Sequence, residues 1–163
     1  IGLGYDIHRF ATGEKLFLGG VEIPFSKKLE GHSDADVLTH ALCDALLGAL
    51  GKGDIGEHFP DTDEQYKNVS SMVLLKKVRG IVGQEGYRVE NLDTVIIAQE
   101  PNLKNYKSEI KDSLADALSI SKDSINIKAK TNEGLDAIGN GRFCASSPPP
   151  EIFDLDIEEQ SSP

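Results

Sequence analysis

Residues 31–50 read GHSDADVLTHALCDALLGAL, and residues 4–10 ahead of them read GYDIHRF. The longer stretch places Leu38, Leu42, Ala45, Leu46 and Ala49 at the three- and four-residue spacing of a helix with one apolar stripe. Ser33 is its expected N-cap, with Asp36 three positions on. Asp36, His40 and Asp44 follow at four-residue intervals and share a polar stripe opposite the leucines. In the shorter stretch, strand alternation turns Tyr5 and Ile7 to one side and Asp6 and His8 to the other. Strand face and helix stripe can therefore supply Asp6, His8 and His40 to one metal. Two nitrogens and one oxygen leave a fourth tetrahedral position for water or substrate. The same spacing admits a second reading. His40 is then a helix-surface residue paired with Asp36 or Asp44, and His8 a hydrogen-bonding residue at a strand end. Under the metal reading, Asp36 and Asp44 are candidates to hold the His40 ring rather than to bind metal.

Outward from these stretches the chain alternates extended and helical segments. Residues 1–9 read as a strand, and residues 16–24 as a second extended segment around Gly19 and Gly20. The run GKGDIGEHFPDTD, 51–63, has too many Gly and Asp residues for a regular element and reads as a functional loop. A helix is expected over 68–83, with Leu74, Leu75, Val78, Ile81 and Val82 inward. Thr94–Ala98 is an apolar extended run, 106–118 a third helix, and Ile125, Ile127 and Ala129 alternate as a late strand. One sheet with helices packed against it, an α/β (α+β) class, accommodates this order.

Seventeen basic against 27 acidic residues give a net charge of -10, which argues against a nucleic-acid or anionic-membrane binder. A small phosphorylated ligand is still compatible, held by a metal, backbone N–H groups and a few lysines. Cys43 and Cys144 are the only cysteines, too few for a disulfide scaffold. No apolar run is long enough to span a membrane. The chain opens on IGLGYDIHRF without Met, as expected where a leader segment has been removed. The last twenty residues, Cys144 to Pro163, contain SSPPP, five carboxylates and no Lys or Arg. Their prolines argue against a central strand. The expected division is a domain over 1–143 and an acidic tail over 144–163.

All four histidines, His8, His32, His40 and His58, fall within the first 58 residues. Asp54 and Gly56 lie in the glycine-rich loop, where backbone N–H groups can approach a ligand and the carboxylate can accept from hydroxyls; a solvated turn is the alternative. In KAKTNEG, 128–134, Lys128 and Lys130 leave a strand's polar face ahead of Thr131 and Glu133. Phosphate contact and a hard metal on Glu133 fit that pattern, as does a charged strand end in water.

Taken together, GYDIHRF (4–10), LGGVEIP (18–24), GHSDADVLTHALCDALLGAL (31–50), GDIGEHFPDTD (53–63), IIAQEPNL (96–103) and IKAKTNEGLDAIG (127–139) closely resemble the 2-C-methyl-D-erythritol 2,4-cyclodiphosphate synthases of the non-mevalonate isoprenoid pathway. The resemblance covers about residues 1–141 in the family's order. It implies a single domain with a mostly four-stranded mixed sheet, helices on one face and a ferredoxin-like arrangement. It also implies a homotrimer with active sites between subunits. Asp6, His8 and His40 would bind Zn2+, and Glu133 a second ion, Mg2+ or Mn2+, together with the substrate diphosphate. Asp54 and Gly56 match positions that hold the methylerythritol, with His32, Ser33 and Asp61 nearby. Ala98, Pro101, Leu103, Lys104 and Ala129 match the cytidine pocket, and Lys130 and Thr131 the diphosphate contacts. The implied reaction cyclises 4-diphosphocytidyl-2-C-methyl-D-erythritol 2-phosphate and releases CMP. The implied compartment is the cytoplasm for a bacterial chain and the plastid for a plant or algal one after loss of a transit peptide.

The chain departs from the family at its end. The family follows the G-x-G turn with an apolar strand, whereas Arg142-Phe143-Cys144-Ala145 here runs into SSPPPEIFDLDIEEQ, so the final strand is expected to be absent or replaced. Where many bacterial members carry Phe and Arg around a trimer-axis cavity for isoprenoid diphosphates, this chain has Ala137 and Asn140, which argues against that binding. Two other readings compete: an inactive, tail-altered trimeric paralogue, and a zinc hydrolase with Asp44 or Asp54 near a metal-bound water.

Overall fold

The computed structural model describes residues 1–31, 33–60 and 62–147. Five strands form one mixed sheet in the order β4 (Lys27–Leu29), β1 (Asp6–Thr12), β7 (Phe143–Ser147), β5 (Leu92–Ile97) and β6 (Ile125–Lys130). Only β5 and β6 are parallel, joined by the crossover helix α4 (Lys107–Leu118); the other neighbours are antiparallel. Strands β2 (Lys15–Leu18) and β3 (Val21–Pro24) make a separate hairpin closed by Gly19 and Gly20, both at positive φ (58° and 77°). A two-residue turn of that shape suits the twist of the flanking strands and favours glycine. Helices α1 (Val37–Ala49) and α3 (Ser71–Gln84) pack on one another, and single-turn helices α2 (Ile55–His58) and α5 (Asp136–Gly139) shape the loops.

The mixed α/β class holds, with differences in detail. The sheet has five strands rather than four, because the three-residue β4 pairs with the end of β1. The long strands and helices run β-α-α-β-α-β-β, with the parallel pair at a sheet edge, unlike the ferredoxin-like β-α-β-β-α-β expected. The final strand is present as β7, between β1 and β5, so ordered sheet continues past residue 143, where the tail was expected to begin. The residues just ahead of Pro148 are small, and Cys144, Ala145 and Ser146 are fully buried. Residues 148–163, the greater part of that tail, lie outside the described residues.

Helix α1 is not a one-sided amphipathic helix. Nine of its residues, from Val37 to Leu47, are buried, since sheet, hairpin and α3 all pack on it. Its N-cap is Asp36 and not Ser33. The Asp36 side chain accepts from the Thr39 backbone N–H (3.1 Å) and hydroxyl (2.8 Å), and from the N–H groups of Gly19 (2.9 Å) and Gly20 (2.7 Å). One buried carboxylate thus caps α1 and ties the hairpin turn to it. Burial pushes its pKa up, against the opposing pull of those donors. Asp36 is therefore a structural anchor and does not join His40 on a polar stripe.

The segment leading into β1 lies against α1 at glycines. A Cβ built on Gly2 would sit 1.8 Å from the Ala45 carbonyl oxygen, and one on Gly4 1.8 Å from that of Ala41. The intervening Ile1, Leu3, Tyr5 and Ile7 point outward and are 68, 56, 54 and 40% exposed. Replacing Gly4 by Ala forces strand and helix apart. We expect it to cost about 1–3 kcal/mol or more, read as a lower urea midpoint at unchanged m-value; a midpoint equal to the wild type's contradicts the close packing.

Candidate metal centre and substrate cavities

The close approach of β1 to α1 sets Asp6 and His8, two residues apart on the inner strand face, against His40 in the second turn of the helix. Asp6 Oδ2 lies 2.9 Å from His8 Nε2 and 3.1 Å from His40 Nδ1, and the two ring nitrogens are 3.2 Å apart. With metal–ligand distances of about 2.0–2.1 Å, a tetrahedral site has ligand–ligand edges of about 3.3 Å. The three atoms form a triangle of nearly that size, so small outward shifts suffice to receive an ion. Among the described residues, they are the group of His, Cys, Asp and Glu side chains with ligand atoms close enough for one metal.

The three side chains also act on one another's protonation. Burial alone would push Asp6 up, but hydrogen bonds from His40 and His8 and their charge more than reverse it and hold the carboxyl well below its usual range. Burial would push His40 down; the Asp6 hydrogen bond and charge, with Asp36 and Asp34 adding to the field, raise it instead. One carboxylate oxygen thus partners both imidazoles.

The centre opens into a cavity of about 240 Å³. Ser33 and Gly56 line it together with Asp6, His8 and His40, as expected. Asp44 does too, and accepts the Ile55 N–H at 2.8 Å, so the metal-bearing helix steers the glycine-rich loop. Burial pushes the Asp44 carboxyl up, with Asp54 and Asp6 adding to the shift. Asp54 is exposed, caps α2 by accepting from Glu57 N–H (3.0 Å), and does not line the cavity itself. Ile55, Phe59, Tyr66 and Leu74 give the cavity an apolar side that the sequence reading missed. The Phe59 and Tyr66 rings meet edge to face at 5.2 Å, with Lys77 Nζ 4.7 Å from the Tyr66 centroid. His32 and Asp61, both expected at the site, lie outside the described residues.

A second cavity, about 410 Å³, is lined by Ala98, Pro101, Leu103, Ala129, Lys130 and Thr131, with Gln99, Glu100 and Asn102. Lys104, expected with them, does not line it and is exposed. Beyond the cavity, Thr131 Oγ1 donates to Glu133 Oε1 at 2.6 Å. Glu133 has φ 49°, a left-handed conformation uncommon outside glycine and asparagine. No residue is common to the linings of the two cavities.

The sequence reading also missed Ser71 and Asp34. Ser71 Oγ lies 2.8 Å from His40 Nε2 and donates to Asp34 Oδ1. Ser71 stands 31 residues from His40 in sequence and reads as one more polar helix residue, so no local pattern points to it.

The YgbB family model matches residues 1–147. The 2-C-methyl-D-erythritol 2,4-cyclodiphosphate synthase of Desulfosudis oleivorans is 52% identical over 146 residues, spanning 90% of this chain and 87% of that protein. The protein of the same name from Clostridium acetobutylicum is 52% identical over 146 residues, spanning 90% and 94%. A solved 2C-methyl-D-erythritol-2,4-cyclodiphosphate synthase in its CDP-bound form superposes with a TM-score of 0.84 at 36% identity, over 90% of this chain and 95% of that one.

The shifted pKa values give the metal-free protein a pH signature. His40 is raised above its ordinary 6.5, so its pairing contributes stability that is complete below 6.5 and lost as pH rises through the raised value. Asp6 is lowered from 3.8, so its share is complete above 3.8 and lost as pH falls through the lowered value. In urea unfolding of chelator-treated protein, the advantage of wild type over His40→Gln is expected to be largest between roughly pH 4 and 6.5 and to narrow above it. An advantage that grows above pH 7 contradicts the pairing.

Proposed function

The chain belongs to the YgbB family, and from that premise we propose that it cyclises 4-diphosphocytidyl-2-C-methyl-D-erythritol 2-phosphate to 2-C-methyl-D-erythritol 2,4-cyclodiphosphate with release of CMP. It is a cyclodiphosphate synthase, a phosphorus–oxygen lyase of non-mevalonate isoprenoid biosynthesis. The observation that carries the reading is the Asp6–His8–His40 triangle, of tetrahedral edge length, at the mouth of a half-apolar cavity.

In the reaction the 2-phosphate oxygen forms a bond to the β-phosphorus. The bond from that phosphorus to the oxygen bridging it to the α-phosphorus breaks, and CMP leaves with the electron pair. The nucleophile is already anionic and needs no side-chain base. The barrier lies in bringing like charges together and in line. Zn2+ on Asp6, His8 and His40, and Mg2+ or Mn2+ on Glu133, would supply Lewis-acid charge against the diphosphate. Asp6, between two imidazoles, anchors the first position. Ser33, Asp54 and Gly56, with His32 and Asp61, hold the methylerythritol, while Ile55, Phe59, Tyr66 and Leu74 exclude water from its carbon skeleton. Ala98, Pro101, Leu103 and Ala129 seat the cytidine. Lys130 and the Thr131 hydroxyl orient the phosphates, and Thr131 holds the Glu133 carboxylate before substrate arrives.

The working form is a homotrimer with active sites between subunits. Two features support it: the metal cavity and the nucleotide cavity have no lining residue in common, and the row Ile1, Leu3, Tyr5, Ile7 is exposed beside the metal strand. A second subunit can cover that row and bring its own nucleotide cavity to the first subunit's metal. Ala137, on α5, and Asn140 are both exposed, without the aromatic and cationic pair that would hold an isoprenoid diphosphate. A bacterial copy works in the cytoplasm and a plant or algal copy in the plastid; no helix among the described residues is long and apolar enough to cross a membrane.

CMP release by the full chain is expected to vanish on chelation and to return with zinc plus a second divalent ion. Replacing His40 by Ala should cut the metal-replete rate at least about 100-fold, the upper end of what loss of a merely supporting residue costs. Sedimentation equilibrium should give three chains per particle. A folded, zinc-replete trimer that releases no CMP overturns the assignment.

A further inference from the structure

The two ring nitrogens of His40 face different neighbourhoods. Nδ1 points at Asp6 Oδ2 and His8 Nε2, where the metal is proposed. Nε2 lies 2.8 Å from Ser71 Oγ, on the fully buried first residue of α3. Asp34 grips that serine twice, its Oδ1 accepting the hydroxyl and its Oδ2 accepting the backbone N–H at 3.0 Å. Ser33 Oγ stands 3.3 Å from Ser71 Oγ and closes the group on the cavity side.

We propose that Ser71 and Asp34 are positioning residues for the metal, acting through His40. A carboxylate has only lone pairs to offer, so the single Ser71 hydroxyl proton goes to Asp34. Ser71 Oγ then faces His40 with a lone pair, and the Nε2–H of His40 donates to it. In the neutral ring, the form able to bind a metal, that order leaves Nδ1 unprotonated, with its lone pair directed at the ligating cluster in place of the hydrogen bond to Asp6. Reversing it would place the proton on Nδ1 and close the site to metal. Because Asp34 also holds the first N–H of α3, the ring is fixed to a helix end and not to a mobile loop. The inference rests on the reading that Asp6, His8 and His40 bind a metal.

The test uses the full chain and has readouts other than turnover. Zinc affinity is measured by competition with a chelator, ligand geometry by the visible absorption of cobalt-loaded protein, and integrity by thermal melting of the metal-free form. Ser71→Ala is expected to weaken zinc about 10–100-fold and to alter the cobalt spectrum. Loss of one buried hydrogen bond by itself lowers the metal-free melting temperature by roughly 2–4 °C and leaves both metal readouts alone. Asp34→Asn, of nearly equal size, leaves one acceptor oxygen where the Ser71 hydroxyl and backbone N–H use two, and is expected to shift both in the same direction; it decides the matter should Ser71→Ala not fold. Variants that bind zinc as tightly as wild type, with an unchanged cobalt spectrum, overturn the relay while leaving the metal centre standing. A wild type that takes up no zinc overturns the metal reading, and the relay with it.

Discussion

The backbone of residues 1–5 touches the backbone of α1, and the rest of the site depends on that contact. Side chains normally hold a strand and a helix apart; here Gly2 and Gly4 remove them where the segment meets the carbonyls of Ala45 and Ala41. Only at this separation can the short side chain of Asp6 reach His40 across two elements. The same alternation turns Ile1, Leu3, Tyr5 and Ile7 to the opposite face, where they stand exposed. One dyad repeat therefore sets both the metal geometry and the surface proposed to meet a second subunit. Asp36 completes the frame from the other end of α1, holding the helix start and the Gly19–Gly20 turn in a single carboxylate.

The electrostatics of the centre follow from that enforced closeness. Two imidazoles and a carboxylate within about 3 Å of each other would be unfavourable if the nitrogens had no common partner. In the metal-free protein Asp6 serves as that partner, which is why its pKa falls and that of His40 rises although both are partly buried. Asp6, His8 and His40 would hold a dication with these same three atoms, while the second nitrogen of His40 stays turned towards Ser71 at 2.8 Å. The second cavity, by contrast, is lined by residues 98–103 after β5 and 129–131 at the end of β6. Lys130 is the one cationic side chain in that lining, so in the proposed reaction charge neutralisation would fall to metal and not to a basic surface. The strongly acidic composition is consistent with that division.

Much of this was legible in the sequence because it depends on local periodicity. Period two on GYDIHRF pairs Asp6 with His8, and the apolar spacing of 37–49 makes a helix that carries His40; both expectations hold in the structure. The strand around 94–98 was visible in its apolar run, whereas residues 16–24, read as one extended segment, fold as the two strands of a hairpin because Gly19 and Gly20 turn the chain back. What could not be read depends on long-range contact. A buried carboxylate such as Asp36 looks, in sequence, identical to a solvated one at a helix start. Its role appears only when the hairpin supplies two N–H donors from 16 and 17 residues away. Ser71 is silent for the same reason, and α1 looks amphipathic because periodicity cannot tell a helix packed on one side from one packed on nearly all.

Strand β7 shows what the fold demands at its centre. Prolines from residue 148 onward argued against any central strand, yet the five residues before them fill the gap between β1 and β5. Size matters there more than hydrophobicity, because α1 lies over the strand. Cys144 and Ser146, on the face they share with His8 and Asp6, are small enough to be buried beneath it, and Ser146 satisfies its hydroxyl by donating to the Val95 carbonyl at 3.3 Å. Cys144 pairs directly opposite His8 in the sheet and so sits beside the proposed zinc position. A thiolate there would compete as a soft ligand. Its sulfur does not join Asp6, His8 and His40 in the group whose ligand atoms lie close enough for one metal, and burial, reinforced by the negative charge of Asp36 and Asp6, pushes its thiol up to about 12. The proposed centre therefore draws its two nitrogens and one oxygen from β1 and α1, while the central strand beside them contributes small buried side chains and not a further ligand.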